Sequence, residues 1–224
     1  AFENMPVHNE EGAGAHVYIP WWLYQDAGKL GFARGYHIEF GTGRGMPRLG
    51  VGAAGPGYGK SYKEEVRQKY GAGIGFSGRG EMIPNKDSFC ELDPAVKDKW
   101  GIPVLKFHWK WSEHETKQAA HMHATFAMII EAIGGKARKP EADGAKAIEP
   151  GGYIIHEVGG AIMGADAKKS VTNQWNQCWE VPNLLLNDGS AFCSNADKNP
   201  TLTIMALAWR ATDHLIEEMR KGNL

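Results

Sequence analysis

The stretch from Pro103 to Gly135 constrains the fold of this chain more than any other. Leu105, Phe107, Trp109 and Trp111 alternate with Lys106, His108 and Lys110. Period-two alternation puts the apolar set on one side of a β-strand and the polar set on the other, so the spacing predicts a half-buried sheet strand. Ser112-Glu113-His114-Glu115 follows at once, and Ser-x-x-Glu is the signature of a capping box. Ala119, Met122, Phe126, Ile129 and Ile133 then recur at three- and four-residue spacings, which predicts a helix with one buried face, ended by Gly134-Gly135. The segment thus supplies a strand and an amphipathic helix in direct succession, the two element types of an α+β chain.

Elsewhere the elements are shorter. His16 to Leu23 reads as a strand interrupted by Pro20. Gly35 to Phe40 alternates cleanly, with Tyr36, Ile38 and Phe40 on one side. Residues 41–80 carry thirteen of the chain's 29 glycines and one polar helical piece near Ser61 to Tyr70. Phe89 to Leu92 is a short strand before a turn at Asp93-Pro94, and Lys136 to Gly152 is a polar loop. Tyr153-Ile154-Ile155 reads as a short apolar strand leading into His156. Asn183 to Leu186 is apolar on both faces, which predicts a strand inside a parallel sheet. Asn199 as a cap and Pro200 in the first turn open a last helix with the stripe Leu202, Met205, Trp209, Ile216 and Met219. These textures divide the chain into 1–80, 81–150 and 151–224.

Composition narrows the function. Lys+Arg is 25 and Asp+Glu 26, a formal net charge of −1, so there is no cationic excess with which to grip a phosphate backbone and nucleic acid is not an expected partner. No apolar run reaches the length of a membrane span. Cys90, Cys178 and Cys193 are widely spaced and suit neither a disulfide framework nor a zinc ribbon. His108, His114, His121 and His123 lack a spacing that would let them share one metal ion, so they read as solvated or sheet-face histidines. The compartment is left open.

Two glycine motifs invite a nucleotide reading. Gly50-Val51-Gly52-Ala53-Ala54-Gly55 fits GxGxxG, but no strand precedes it and Pro56-Gly57 follows, so it reads as a loop. Residues 54–61 (AGPGYGKS) approximate a P-loop, which keeps a nucleotide triphosphatase as an alternative.

The last seventy residues carry a stronger pattern. His156-Glu-Val-Gly-Gly-Ala-Ile-Met163-Gly164 is followed by Asn183-Leu-Leu-Leu-Asn-Asp188-Gly189-Ser190, and then by Asn199-Pro-Thr-Leu-Thr-Ile-Met-Ala-Leu-Ala-Trp-Arg210. These three ordered blocks resemble the C-terminal segment of the glucose–methanol–choline family of FAD-dependent oxidoreductases. Residues 80–133 resemble the family's substrate domain, an antiparallel sheet backed by helices, in the gluconate and sugar dehydrogenase branch. The resemblance implies an α/β remnant of an FAD domain joined to that substrate domain, with residues 1–80 linking the two. It implies that His156 accepts the substrate hydroxyl proton as hydride passes to flavin N5, and that Asn199 binds the same hydroxyl. It implies flavin contacts from Asp188, Gly189, Asn199, Pro200, Thr201 and Leu202, with no metal.

The chemistry suits these residue types. Proton removal from an alcohol needs a base titrating near neutrality, which is histidine. A helix N-terminus stabilises negative charge on a reduced ring. Gly160, Ile162 and Cys193 depart from the residues common in the family. The GxGxxG unit for the ADP half of the cofactor has no match, so the chain is expected to correspond to the C-terminal part of such an enzyme and to bind FAD weakly alone. The implied partners are a sugar, sugar acid or polyol, the N-terminal FAD-binding portion, and an electron-acceptor subunit. A non-catalytic subunit of the same family is a further alternative, which the presence of both His156 and Asn199 disfavours.

Overall fold

The computed structural model describes residues 17–23, 25–42, 59–69 and 73–223. The GxGxxG segment lies outside the described residues, and of the P-loop-like stretch only residues 59–61 are described. In chain order the elements are β1 (Val17–Trp22), β2 (Tyr36–Thr42), α1 (Gly59–Lys69), β3 (Ile74–Gly80), β4 (Phe89–Lys97), β5 (Pro103–His108), α2 (Glu113–Ala132), α3 (Gly144–Ala147) and α4 (Thr201–Lys221). This is a mixed α+β chain with antiparallel pairing in both sheets. Its contacts group Ala1–Gly80 with Thr116–Ile148, and Glu81–Glu115 with Glu149–Leu224.

The first unit is built on a meander in the order β1-β2-β3. Tyr36 to Thr42 pair in unbroken register with Gly80 back to Ile74. The β1–β2 register shifts between Ile19 and Trp22, where Pro20 has no N–H for the ladder. Strand alternation sends Tyr36 and Ile38 into a core with Phe32 and Met122, and Phe76, Phe126 and Ile129 pack around it. Burying a large side chain of this kind contributes about 1.5–3 kcal/mol. The helix spacing read from the sequence therefore holds as far as Ile129, while Ile133 falls past the end of α2 and is exposed.

Two glycines of β3 allow this contact. A Cβ at Gly78 would overlap Met122 Sδ, and one at Gly80 would overlap Gln118 Oε1. The last stretch of the glycine-rich region is a sheet strand against which the helix lies closely. His121 also differs from expectation. It is half-buried, its Nδ1 is 2.9 Å from the Tyr36 hydroxyl, and burial pushes its pKa down. Tyr36 in turn donates to Thr125 Oγ1 at 3.0 Å, and burial pushes its own pKa up to about 12. On the opposite sheet face Glu39 lies 3.3 Å from both His37 Nε2 and Arg79 Nη2.

The second unit opens with the β4–β5 hairpin, in which Leu92 pairs with Leu105 and Cys90 with Phe107. This corrects the half-buried strand: Leu105 and Phe107 are 57% and 68% exposed. No described element of the unit closes that face, whereas His108 on the other face stacks on Phe89 and bonds Glu91 at 2.8 Å. Trp109 is likewise exposed, and Trp111 is half-buried. Their rings meet edge to face at 5.2 Å, and Trp111 Nε1 donates to the Glu149 carbonyl.

The capping box at the start of α2 forms as the sequence predicts. Glu115 accepts from Ser112 N at 2.6 Å and from Ile83 N at 2.7 Å, and Ser112 Oγ accepts from His114 N. Residues 153–155 form bends, not a strand, and Ile155 is exposed. Residues 183–186 also differ from the parallel strand expected. They make one isolated antiparallel bridge, Gln177↔Leu185, flanked by Cys178 N to Leu184 O and Leu186 N to Asn176 O. An apolar run identifies burial or stickiness, but it does not identify the pairing partner. Here the partner is the neighbouring loop.

Candidate functional site

All the residues singled out for chemistry lie in the second unit, between His156 and Leu202. They are assembled by three pieces of backbone. Gly159 N donates to Gly189 O, Ala161 N to Ser190 O and Met163 N to Ala191 O, so the segment following His156 runs beside the 189–191 turn. That turn in turn meets the first turn of α4. A Cβ at Gly189 would come 3.2 Å from Val158 Cγ1 and 3.5 Å from Ile204 Cδ1, so only a glycine lets the three pieces close without a shift. The segment carrying His156, the Asp188-Gly189-Ser190 turn and the start of α4 are thus neighbours.

His156 is partly buried at the end of a loop. Glu157 braces that loop by accepting from Gly152 N at 3.1 Å, a role no sequence pattern indicated. Asn199 is exposed just before α4. Among the described residues, neither side chain has a hydrogen-bond partner, so both are available to a ligand. Pro200 is buried and already helical at φ −82°, ψ −15°, and its carbonyl accepts from Ile204 N. Asn199 therefore stands at the mouth of the helix as expected, but no side chain caps it. A helix of 21 residues with an uncapped start presents its first-turn N–H donors and the positive end of its dipole. Thr201 and Leu202, in that turn, are exposed.

Asp188 has a local partner in its own turn. One of its carboxylate oxygens accepts from both Ser190 N and Ser190 Oγ, which caps the short 3-10 turn Gly189–Ala191. It builds the turn that packs against Val158 and Ile204. An uncapped helix start, with a carboxamide at its mouth and a histidine on the neighbouring segment, is a donor set whose residue types fit an electron-poor ring that becomes anionic on reduction. Among the described residues no group of three His, Cys, Asp or Glu side chains is placed to hold a metal ion. The three cysteines are free thiols, and no described helix is long and apolar enough to cross a membrane.

Residues 84–208 match the model of the GMC oxidoreductase C-terminal domain, and the chain belongs to that family, whose members generally use FAD. It is 31% identical over 206 residues to the 2-methyl-1,2-propanediol dehydrogenase of Mycolicibacterium austroafricanum, covering 90% of this chain and 36% of that protein. It is 29% identical to the gluconate 2-dehydrogenase flavoprotein of Pantoea cypripedii, covering 75% of this chain and 28% of the relative. It is also 29% identical to the fructose dehydrogenase large subunit of Gluconobacter japonicus, covering 80% and 31%. The chain thus spans about a third of the length of these curated relatives.

Proposed function

We propose that this chain forms the alcohol-side portion of an FAD-dependent dehydrogenase acting on a sugar, sugar acid or polyol. The observation that carries the reading is the convergence on Gly189 of the segment after His156 and the first turn of α4, with the His156 and Asn199 side chains unbonded. FAD, when bound, supplies the acceptor for the carbinol hydride. The chain's own groups do the rest. The Asn199 carboxamide holds the substrate hydroxyl. An imidazole nitrogen of His156 takes the hydroxyl proton as the C–H bond gives up its electron pair. The resulting imidazolium later returns the proton to water. Thr201 and Leu202 offer backbone donors at the positive end of α4, and Gly189 and Asp188 hold that end against the loop bearing His156. Pro200 fixes the direction in which the helix starts.

The names of the relatives support alcohol and sugar oxidation, and two of them, a flavoprotein and a large subunit, support a multi-subunit enzyme that passes electrons onward. The cofactor's other half is then held by an FAD-binding portion beyond this chain. The reading is tested by His156→Asn in the flavin-containing enzyme that carries the chain. General-base loss predicts a fall in turnover of about 10²–10⁴-fold with the flavin spectrum retained. Unchanged turnover removes His156 from the role and leaves a non-catalytic subunit as the better account.

A further inference from the structure

One buried carboxylate beside the candidate site has no part in the chemistry described above. Among residues 193–199, which lead from the 189–191 turn to α4, only Asp197 is buried. Its side chain is 3% exposed, and Oδ2 lies 2.6 Å from Nζ of Lys198, whose side chain is 37% exposed. A carboxylate taken out of water needs its charge matched and its lone pairs bonded, so its place is closely defined. The two residues are consecutive. In extended backbone consecutive side chains point to opposite sides, so an ion pair between neighbours requires the chain to bend. Asp197 and Lys198 both lie in bends. Asn195 Nδ2 donates to the Lys198 carbonyl at 3.3 Å and closes the same bend from the other side. That carbonyl belongs to the peptide bond joining Lys198 to Asn199. On the far side Pro200 is buried, and its ring fixes φ. Asn199, itself exposed, is therefore held by its neighbours in both directions.

We propose that Asp197 is a positioning residue for Asn199. Through its ion pair with Lys198 it sets the peptide plane from which the Asn199 carboxamide reaches the substrate hydroxyl. The proposal rests on the role given above to Asn199 and deepens it by naming what holds that residue in place. Asp197 is too enclosed to meet a substrate, so it acts through its neighbours. An exposed carboxamide on an untethered loop would spread over many orientations, and only a fraction would meet the hydroxyl in line for proton and hydride departure. A misplacement of about 1 Å in such a group costs on the order of a hundredfold in rate. The pair is also vulnerable in a specific way. Removing the charge of either partner leaves the other without its counter-ion, and the bend that carries Asn199 loses a closure.

The test uses the flavin-containing enzyme that carries the chain. Glucose, gluconate and sorbitol serve as a sugar, a sugar acid and a polyol donor, and anaerobic bleaching of the flavin is followed by stopped flow. Asp197→Asn keeps the volume and removes the charge, and should lower the limiting bleaching rate about 10–100-fold with the flavin spectrum retained. Lys198→Met, at the more exposed end of the pair, should lose as much, and it gives the reading should Asp197→Asn fail to keep its flavin. Lys198→Arg restores the charge and should recover the rate to within about threefold of wild type, a rescue that a merely space-filling role would not require. In an Asn199→Ala background Asp197→Asn should cost less than about twofold more, because its effect passes through the carboxamide. Equal losses from Asp197→Asn in both backgrounds overturn the proposal, and so does Lys198→Arg as slow as Lys198→Met. A wild-type flavin that none of the three donors bleaches sinks the functional reading and this proposal with it. A flavin bleached as fast in Asp197→Asn as in wild type sinks this proposal alone.

Discussion

Replacing Gly80 by alanine tests how closely α2 lies on the sheet of the first unit. The added methyl would overlap Gln118 Oε1 and come 3.1 Å from Met122 Cε. Gln118 is buried, and its Nε2 donates at 3.3 Å to the carbonyls of both Arg34 and Gly35. Moving the carboxamide aside weakens two hydrogen bonds, each worth about 1 kcal/mol net. Crowding of Met122 adds about 1 kcal/mol, softened by the flexibility of its side chain. Loss of glycine's freedom in the unfolded chain returns about 0.4–1 kcal/mol. The net is a destabilisation of about 2–3 kcal/mol. Urea unfolding followed by far-UV circular dichroism reads it as a lower midpoint at unchanged slope. Gln118→Ala makes room for the methyl, so in the double variant Gly80→Ala should add almost nothing. A neutral or stabilising Gly80→Ala single variant refutes the close approach, because the glycine would then be serving no packing purpose.

Three further outcomes follow from the same coordinates. Burial holds the pKa of His121 below the ordinary value, so the unfolded chain binds a proton that the folded one does not. Stability should fall as pH drops below about 6.5, the unfolded value, and the fall should level off below the folded value; His121→Gln should flatten that segment of a urea-midpoint profile. Glu115→Ala removes the acceptor shared by Ser112 N and Ile83 N, and should lower unfolding stability by about 3 kcal/mol, read by calorimetry. Asn176 sits at φ 60° and donates from Nδ2 to Asn187, so Asn176→Ala should cost about 2 kcal/mol, while Asn176→Gly, which accepts that backbone, should cost less.

The parts of the fold legible in the sequence are those where a local rule and the tertiary contact agree. The capping box at Ser112–Glu115 and the spacing from Ala119 to Ile129 are both local, and both appear in α2. The alternation at Tyr36, Ile38 and Phe40 became β2 for the same reason. Where the partner decides, the sequence was silent or misleading. β3, IGFSGRG, has little intrinsic strand preference and exists because β2 and α2 flank it. Asn183–Leu186 had the composition of a sheet strand, but its backbone bonds go to the adjacent loop. His121 looked like a surface histidine until Tyr36, eighty-five positions away, came within 2.9 Å. For the candidate site, the order of the His156, Asp188-Gly189 and Asn199-Pro200 blocks was readable. Their meeting at Gly189, the bracing by Glu157 and the local duty of Asp188 depend on loop geometry that no spacing encodes.

The grouping of Ala1–Gly80 with Thr116–Ile148 has a consequence for how the protein is made. As the chain leaves the ribosome the three-stranded meander is complete at Gly80, but the side chains that seal its apolar face, Gln118, Met122 and Phe126, are still to be synthesised. For several seconds, at ordinary elongation rates of about 5–20 residues per second, Tyr36 and Ile38 have Phe32 and Phe76 but none of their α2 neighbours, which makes that interval the natural point for a chaperone to engage.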